Sequence, residues 1–270
     1  MIILGCDVGV RNLGISLIKF NADSTPPNVI WAGVLDIDPD PRCQVCQCKA
    51  KVSQGSSCFC LRHHDKETKS KKIKRKKKSI FELATSLYEM LDRYPCFVTA
   101  DEVALENQPC SLNPHLKTVQ ILLFAYFVRA GVPKVQSVAA SHKFKVTTLT
   151  MPKEYSARKK LSIHLARVWL AKHSPNDLET FELCRKKDDY ADALLISCWW
   201  AQHLRQETGC DVLCSEAFVE AYARVATGVA VKLPTDDLRK QKEHPGSYEI
   251  PEAIKPKTLA GQGSVSTEII

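Results

Sequence analysis

The sequence predicts an α/β fold: a mixed sheet of five strands with flanking helices, interrupted by a small zinc-binding insert. Three observations predict it. Three apolar segments follow one another at the start of the chain, helical and extended patterns then alternate, and between the two regions residues 40–78 lose their hydrophobic periodicity to cysteine, histidine and lysine.

Taken in order, residues 2–8 form an apolar, β-branched run that reads as a buried strand, and Gly9 to Asn12 turn the chain. Leu13 to Phe20 resume as a second strand. A loop carrying Pro26 and Pro27 precedes a third strand, Asn28 to Ile37, which predicts an antiparallel meander. After the insert, Ser79 and Glu82 have the spacing of a capping box, and Ile80, Leu83, Leu87 and Leu91 follow at helical intervals. Val98 to Glu106 reads as a strand. His115 to Arg129 is apolar nearly all round and is expected to be a buried helix. Lys134 to Ala140 is a short strand. Ser156 to Lys172 is a helix with Leu161, Leu165 and Trp169 on one face, Asp188 to Gln206 another, and Ala217 to Val231 a further one. The expected division is a core of residues 1–39 and 79–206, an insert at 40–65, a basic linker at 66–78, a helical extension at 207–232 and a disordered tail at 233–270.

The charge is unevenly placed. The chain has 38 Lys+Arg and 30 Asp+Glu, a net +8, and residues 66–78 alone hold nine bases and one acid. The rest is balanced, which excludes a uniformly basic chromatin-type protein. With 44% apolar residues the chain can bury a substantial core. No apolar run approaches the roughly 18–20 residues that span a bilayer. The N-terminal residues carry no secretory pattern, so the twelve cysteines point to a reducing compartment and a metal site rather than disulfides.

Chemistry is concentrated in carboxylates on apolar elements. Asp7 ends the first strand and Glu106 the fourth. Asp189 and Asp192 are three apart, so on a helix they share a face with Ile196 and Trp199, which turns them towards the core. Asp188 is expected to face solvent. A buried carboxylate needs a cation or hydrogen bonds, and convergent acids suit hard divalent ions such as Mg2+. Two such ions about 3.5–4 Å apart activate water against a phosphodiester.

The motifs carrying these acids are Asp-Val-Gly-Val-Arg-Asn-Leu-Gly-Ile-Ser at 7–16, Leu-Glu-Asn-Gln at 105–108 and Lys-Lys-Asp-Asp-Tyr-Ala-Asp-Ala-Leu at 186–194. Together they resemble the motifs of RuvC-like Holliday junction resolvases, in the branch of poxviruses and other large DNA viruses. The resemblance covers residues 1–40 and 79–206. It implies an RNase H-like fold, a homodimer and paired, Mg2+-dependent nicks in four-way DNA junctions. It also implies that Asp7, Glu106, Asp189 and Asp192 hold two Mg2+ ions. A lysine of Ser-His-Lys-Phe-Lys, Lys143 or Lys145 with Lys143 favoured, would assist them. Arg11 and Asn12, directly after the first acid, are expected at backbone phosphate. Such a protein is expected inside cells and, if viral, at the cytoplasmic replication site or in the nucleus of its host.

Within the insert, Cys43-Gln-Val-Cys46 and Cys60-Leu-Arg-His63 form two half-sites separated by 13 residues, a spacing that suits tetrahedral, structural Zn2+. Cys48, Cys58 and His64 compete as ligands. The other seven cysteines, Cys6, Cys96, Cys110, Cys184, Cys198, Cys210 and Cys214, are expected as buried thiols. The basic run that follows, with Lys71, Lys72, Lys74, Arg75, Lys76, Lys77 and Lys78, is expected along a junction arm, where it would release counterions from phosphates. The rival functions are a RuvC-like transposase, an RNase H-type nuclease and a non-catalytic zinc-ribbon protein that binds junctions.

Overall fold

The structure, a computed structural model, describes residues 1–21, 25–74, 78–111, 113–145 and 152–208. The expected helix at Ala217 to Val231, and Arg75, Lys76, Lys77, Cys210 and Cys214, lie outside the described residues.

The meander forms as expected. Strands β1 (Ile2–Asp7), β2 (Leu13–Lys19) and β3 (Asn28–Leu35) are antiparallel neighbours. In the insert, β4 (Val52–Gln54), β5 (Ser57–Phe59) and β6 (Lys71–Lys72) make a separate small antiparallel sheet in the order β5-β4-β6. Lys71 and Lys72 therefore pair with Val52 and Ser53, so the basic run begins inside the sheet of the insert. Gly55, at φ +63°, turns the tight β4–β5 hairpin, a conformation that side chains with a Cβ rarely adopt.

Helix α1 (Ile80–Leu91) starts at the predicted capping box: the Glu82 N–H donates to Ser79 Oγ at 3.2 Å and the Ser79 N–H to Glu82 Oε2 at 2.7 Å. Strand β7 (Glu102–Glu106) begins four residues later than its apolar pattern suggests. Pro95 starts a 3-10 turn over Pro95–Thr99 instead, and Asp101 Oδ2 accepts the Ile2 N–H at 2.7 Å. Helix α2 (Pro114–Arg129), strand β8 (Lys134–Val138), helix α3 (Tyr155–His173), helix α4 (Pro175–Leu183) and helix α5 (Lys187–Thr208) complete the fold. Helix α4 was not anticipated; its nine residues bury only Phe181, too little to leave a helical pattern.

The main sheet runs β3-β2-β1-β7-β8, with β1, β7 and β8 parallel. This is the RNase H-like arrangement that the resemblance implied. Strand periodicity divides the core into two layers. Leu4, Cys6, Leu13, Ile15, Leu17, Val103 and Leu105 face α1 and α2. Ile3, Ile18 and Ala104 face α3, α4 and α5.

Helix α5 lies directly on that second face because the strands beneath it are nearly bare. A Cβ on Gly5 would come within 2.4 Å of Ser197 Oγ, and one on Gly14 within 2.2 Å of the Asp189 carbonyl oxygen. The Ser16 hydroxyl donates to the Ala193 carbonyl at 2.8 Å and sits 2.6 Å from Ser197 Oγ. These small residues let the first turns of α5 come down beside the end of β1.

Helix α2 corrects one expectation. It is one-sided rather than buried all round: Val119, Gln120, Leu123 and Phe127 are buried, while Ile121, Phe124 and Val128 are 57%, 40% and 53% exposed. Apolar composition cannot say which face meets a neighbour, and only one face of α2 meets the sheet.

Candidate active site and metal centre

Alternation along the strands puts Asp7 on the same face as Gly5, and Glu106 on the same face as Ala104, beneath α5. The last β1–β7 partners are Cys6 and Leu105, and Asp7 and Glu106 are the next residue on each strand. The two carboxyl groups come close enough for Glu106 to raise the Asp7 carboxyl. Lys143 comes from the 3-10 turn His142–Phe144, after β8. It is only 8% exposed, and its Nζ donates to Asp192 Oδ2 at 2.6 Å and to Glu106 Oε2 at 3.5 Å. Lys145, the other lysine of the motif, is exposed. Asp192 also accepts a hydrogen bond from Ser162 of α3. Ser162 escaped the sequence reading, although a serine inside the apolar stripe of α3 was the available sign.

The structure thus brings Asp7, Glu106, Asp192 and Lys143 into one contact network. Asp189 stands one helical turn before Asp192, half-buried and within electrostatic reach of it. Burial, and then the carboxylates around it, push the Asp7 carboxyl well above the usual range. Burial also raises Asp192, against the opposing pull of Lys143. Asp189 is pushed up to about 6 by burial and by Asp188. Burial disfavours the charge on Lys143, but Asp192, Glu106 and Asp7 outweigh it and hold the ammonium firmly protonated.

Four acids therefore face one buried cation. Among the described residues Asp189 Oδ2 and Asp192 Oδ1 are buried without a hydrogen-bond partner, although the exposed Lys186 brings its ammonium to 3.9 Å from Asp189 Oδ2. Oxygens of this kind fit a hard divalent ion. Asp188 differs from expectation: it turns to Lys159 of α3, which lowers its carboxyl below the usual range despite partial burial.

Arg11 and Asn12 follow β1 directly, and Arg11 is paired with Asp36 and Asp40. Lys49 joins Asp40 at 2.7 Å, and Lys78 reaches Asp38 at 3.5 Å and Ser86 Oγ at 2.7 Å. Arg11 thus ties the first root of the insert to the loop after Asp7, and Lys78 ties the second root to the first. Lys71, Lys72 and Lys74 are exposed.

In the insert, one ligand atom from each of Cys43, Cys46, Cys60 and His63 lies within 4.8 Å of all the others. Three of the separations are 3.6–3.7 Å: Cys43 Sγ and Cys60 Sγ to His63 Nδ1, and Cys46 Sγ to Cys60 Sγ. Ligands about 2.3 Å from a tetrahedral ion stand about 3.8 Å apart, so the cluster has the dimensions of a zinc site. Among the described residues Cys48 and Cys58 stay outside the cluster and contribute backbone instead: their carbonyls accept the Cys43 and Gln44 N–H groups. Of the remaining thiols, Cys6 and Cys198 are buried as expected, whereas Cys110 is exposed on the loop after β7.

The sequence matches the family described as Poxvirus A22 protein over residues 1–204. An uncharacterised protein of Acanthamoeba polyphaga mimivirus is 26% identical over 192 residues, covering 59% of this chain and 46% of that one. The chain therefore spans about half the length of that relative. Three solved structures are similar. The fowlpox virus resolvase bound to its substrate Holliday junction DNA has 17% identity and a TM-score of 0.45, over 76% of this chain and 99% of the other. The yeast mitochondrial Holliday junction resolvase has 16% identity and a TM-score of 0.43, over 76% and 83%. The T. thermophilus RuvC in complex with a Holliday junction substrate has 15% identity and a TM-score of 0.41, over 77% and 98%.

Proposed function

Because the chain belongs to the Poxvirus A22 protein family, the poxvirus Holliday junction resolvases, we propose that it is a divalent-metal-dependent endonuclease that resolves four-way DNA junctions. The observation that carries the reading is the convergence of Asp7, Glu106 and Asp192 around the buried Lys143. Asp7, Glu106, Asp189 and Asp192 would hold two Mg2+ ions. Bound there, such ions supply an activated water and neutralise charge on the scissile phosphate. The chain's own residues do the rest. Asp7 and Glu106 are held rigid by adjacent parallel strands. Lys143, buried beside Asp192 and Glu106, would hold its ammonium next to the charge that develops on the phosphate. The low polarity beneath α5 strengthens each of these interactions.

Two further parts complete the reading. The insert would be held by structural Zn2+ on Cys43, Cys46, Cys60 and His63, all four positions being filled by protein. Its exposed Lys71, Lys72 and Lys74, with the rest of the basic run, would lie along a junction arm. The exposed stripe Ile121, Phe124 and Val128 on α2 would meet the same stripe of a second copy, giving a homodimer with one site for each of two strands. A viral enzyme of this kind would act where viral DNA replicates, in the cytoplasm or nucleus of the host cell.

The test is direct. The full chain, incubated with a labelled four-way junction, is expected to make paired, symmetric nicks in Mg2+ and none without it. Equal cleavage of linear duplex, or preferential cleavage of an RNA–DNA hybrid, would favour the transposase or RNase H-type readings. Junction binding without turnover would favour the non-catalytic one.

A further inference from the structure

We propose that Gln120 is a positioning residue for the metal-binding carboxylate of Glu106, an inference that rests on the metal site proposed above. Gln120 is an anomaly in its helix. It is 3% exposed, in the stripe of α2 that otherwise buries Val119, Leu123 and Phe127. An amide there is costly unless its donors and acceptor are satisfied, and its partners among the described residues lie on the segment just after Glu106, on β8 and on α2 itself. Its Oε1 accepts the Gln108 N–H at 2.8 Å and Lys117 Nζ at 3.0 Å. Its Nε2 donates to Ser137 Oγ at 2.8 Å and, more weakly, to Asn107 Oδ1 at 3.5 Å.

The segment after Glu106 is therefore held by three ties, one from β8 and two from α2. The Asn107 N–H donates to the Val138 carbonyl at 2.7 Å, extending the β7–β8 ladder. Lys117 Nζ donates to Asn107 Oδ1 at 3.0 Å. Gln120 fixes Gln108 from α2 and, through Ser137, binds the same helix to β8, the strand that leads to Lys143. A strand end is where the ladder stops constraining the chain. The tie from Gln120 extends that constraint past Glu106, so its carboxylate leaves β7 from a backbone fixed on both sides. Residues hydrogen-bonded directly to a metal ligand commonly change affinity or activity about 10–100-fold when removed, and a tie through the ligand's backbone acts at the lower end of that range.

The variants are Gln120→Leu, which keeps the buried volume and removes the hydrogen bonds, Gln120→Glu, which keeps the acceptor for Gln108 and Lys117, and Lys117→Met outside the core. Mn2+ binding by the full chain is followed by calorimetry, beside the Mg2+ dependence of junction cleavage. Gln120→Leu is expected to weaken Mn2+ binding and raise the half-saturating Mg2+ concentration about tenfold, with junction binding in the absence of divalent ions unchanged. Gln120→Glu should restore most of the loss, and Lys117→Met should show a smaller shift in the same direction. Wild-type metal dependence in folded Gln120→Leu would overturn the proposal. If that variant does not fold, unchanged metal binding in Lys117→Met would overturn it. A wild-type chain that binds Mn2+ but cuts no junction would count against the enzymatic reading alone, since the metal titration still reads the position of Glu106.

Discussion

At the scale of single residues, the site trades stability for chemistry. The Asp7 and Asp192 carboxyls are raised chiefly by burial, so the folded chain holds their protons more tightly than the unfolded chain does. Stability without added Mg2+ must then fall as pH rises. For Asp189 the window runs from about 3.9, the ordinary carboxylate value, to about 6. Melting temperatures of the chain without added Mg2+ should therefore decline across that range and recover when Mg2+ is supplied. Asp7→Asn removes one of these penalties. It should melt higher than the wild type without Mg2+, bind a junction normally and lose at least about 100-fold in cleavage rate. A variant that cuts at the wild-type rate would remove Asp7 from the mechanism. The acids were legible in the sequence, because charge on an apolar strand is anomalous. The pairings were not: Asp188 with Lys159, Ser162 with Asp192 and Arg11 with Asp40 join residues whose sequence separation says nothing about contact.

At the scale of elements, the decisive feature is how closely α5 approaches β1 and β2. Gly5, Gly14 and Ser16 make room for it, and the Asp189 carbonyl rests against the Gly14 backbone. Gly14→Ala should force the helix outwards, costing about 1–3 kcal/mol by overpacking, and should weaken Mg2+ binding by displacing Asp189 and Asp192. Denaturant unfolding and a metal titration would check both, and a neutral effect on each would mean that α5 is not seated as described. The insert depends on a different device. Beyond Cys43 and Cys60 its buried apolar residues are few, among them Ala50 and Val52, so metal would supply what a core cannot. Removing zinc, by chelation or by Cys43→Ser, should strip amide exchange protection from β4, β5 and β6 and leave β1, β2 and β7 protected. Persistent protection of the small sheet would contradict the zinc assignment. The half-sites were readable from their spacing. The small sheet was not, since strands of two or three residues carry no periodicity.

At the scale of the molecule, α2 presents two different faces. One face seats Val119, Gln120, Leu123 and Phe127 against the sheet; the other leaves Ile121, Phe124 and Val128 to solvent. If that stripe joins two copies, Phe124→Glu should give a folded monomer by sedimentation. It should also convert paired cleavage of a junction into isolated nicks. A Phe124→Glu chain that remains dimeric would place the interface elsewhere. The basic run adds an electrostatic component, so junction affinity should fall steeply with salt, and less steeply once Lys71, Lys72 and Lys74 are neutralised.

The sequence by itself determined the antiparallel meander at the start of the chain, the capped start of α1, the acids on apolar elements and the metal half-sites. Each of these is a local matter of periodicity, spacing or charge in the wrong place, and so is visible within a dozen residues. Only the tertiary structure decided which lysine reaches Asp192 and Glu106, which cysteines share one cluster, and which face of α2 is left bare. Those outcomes depend on how close the backbones of distant segments come. That closeness is set by the absence of side chains at Gly5 and Gly14 as much as by any residue that carries chemistry.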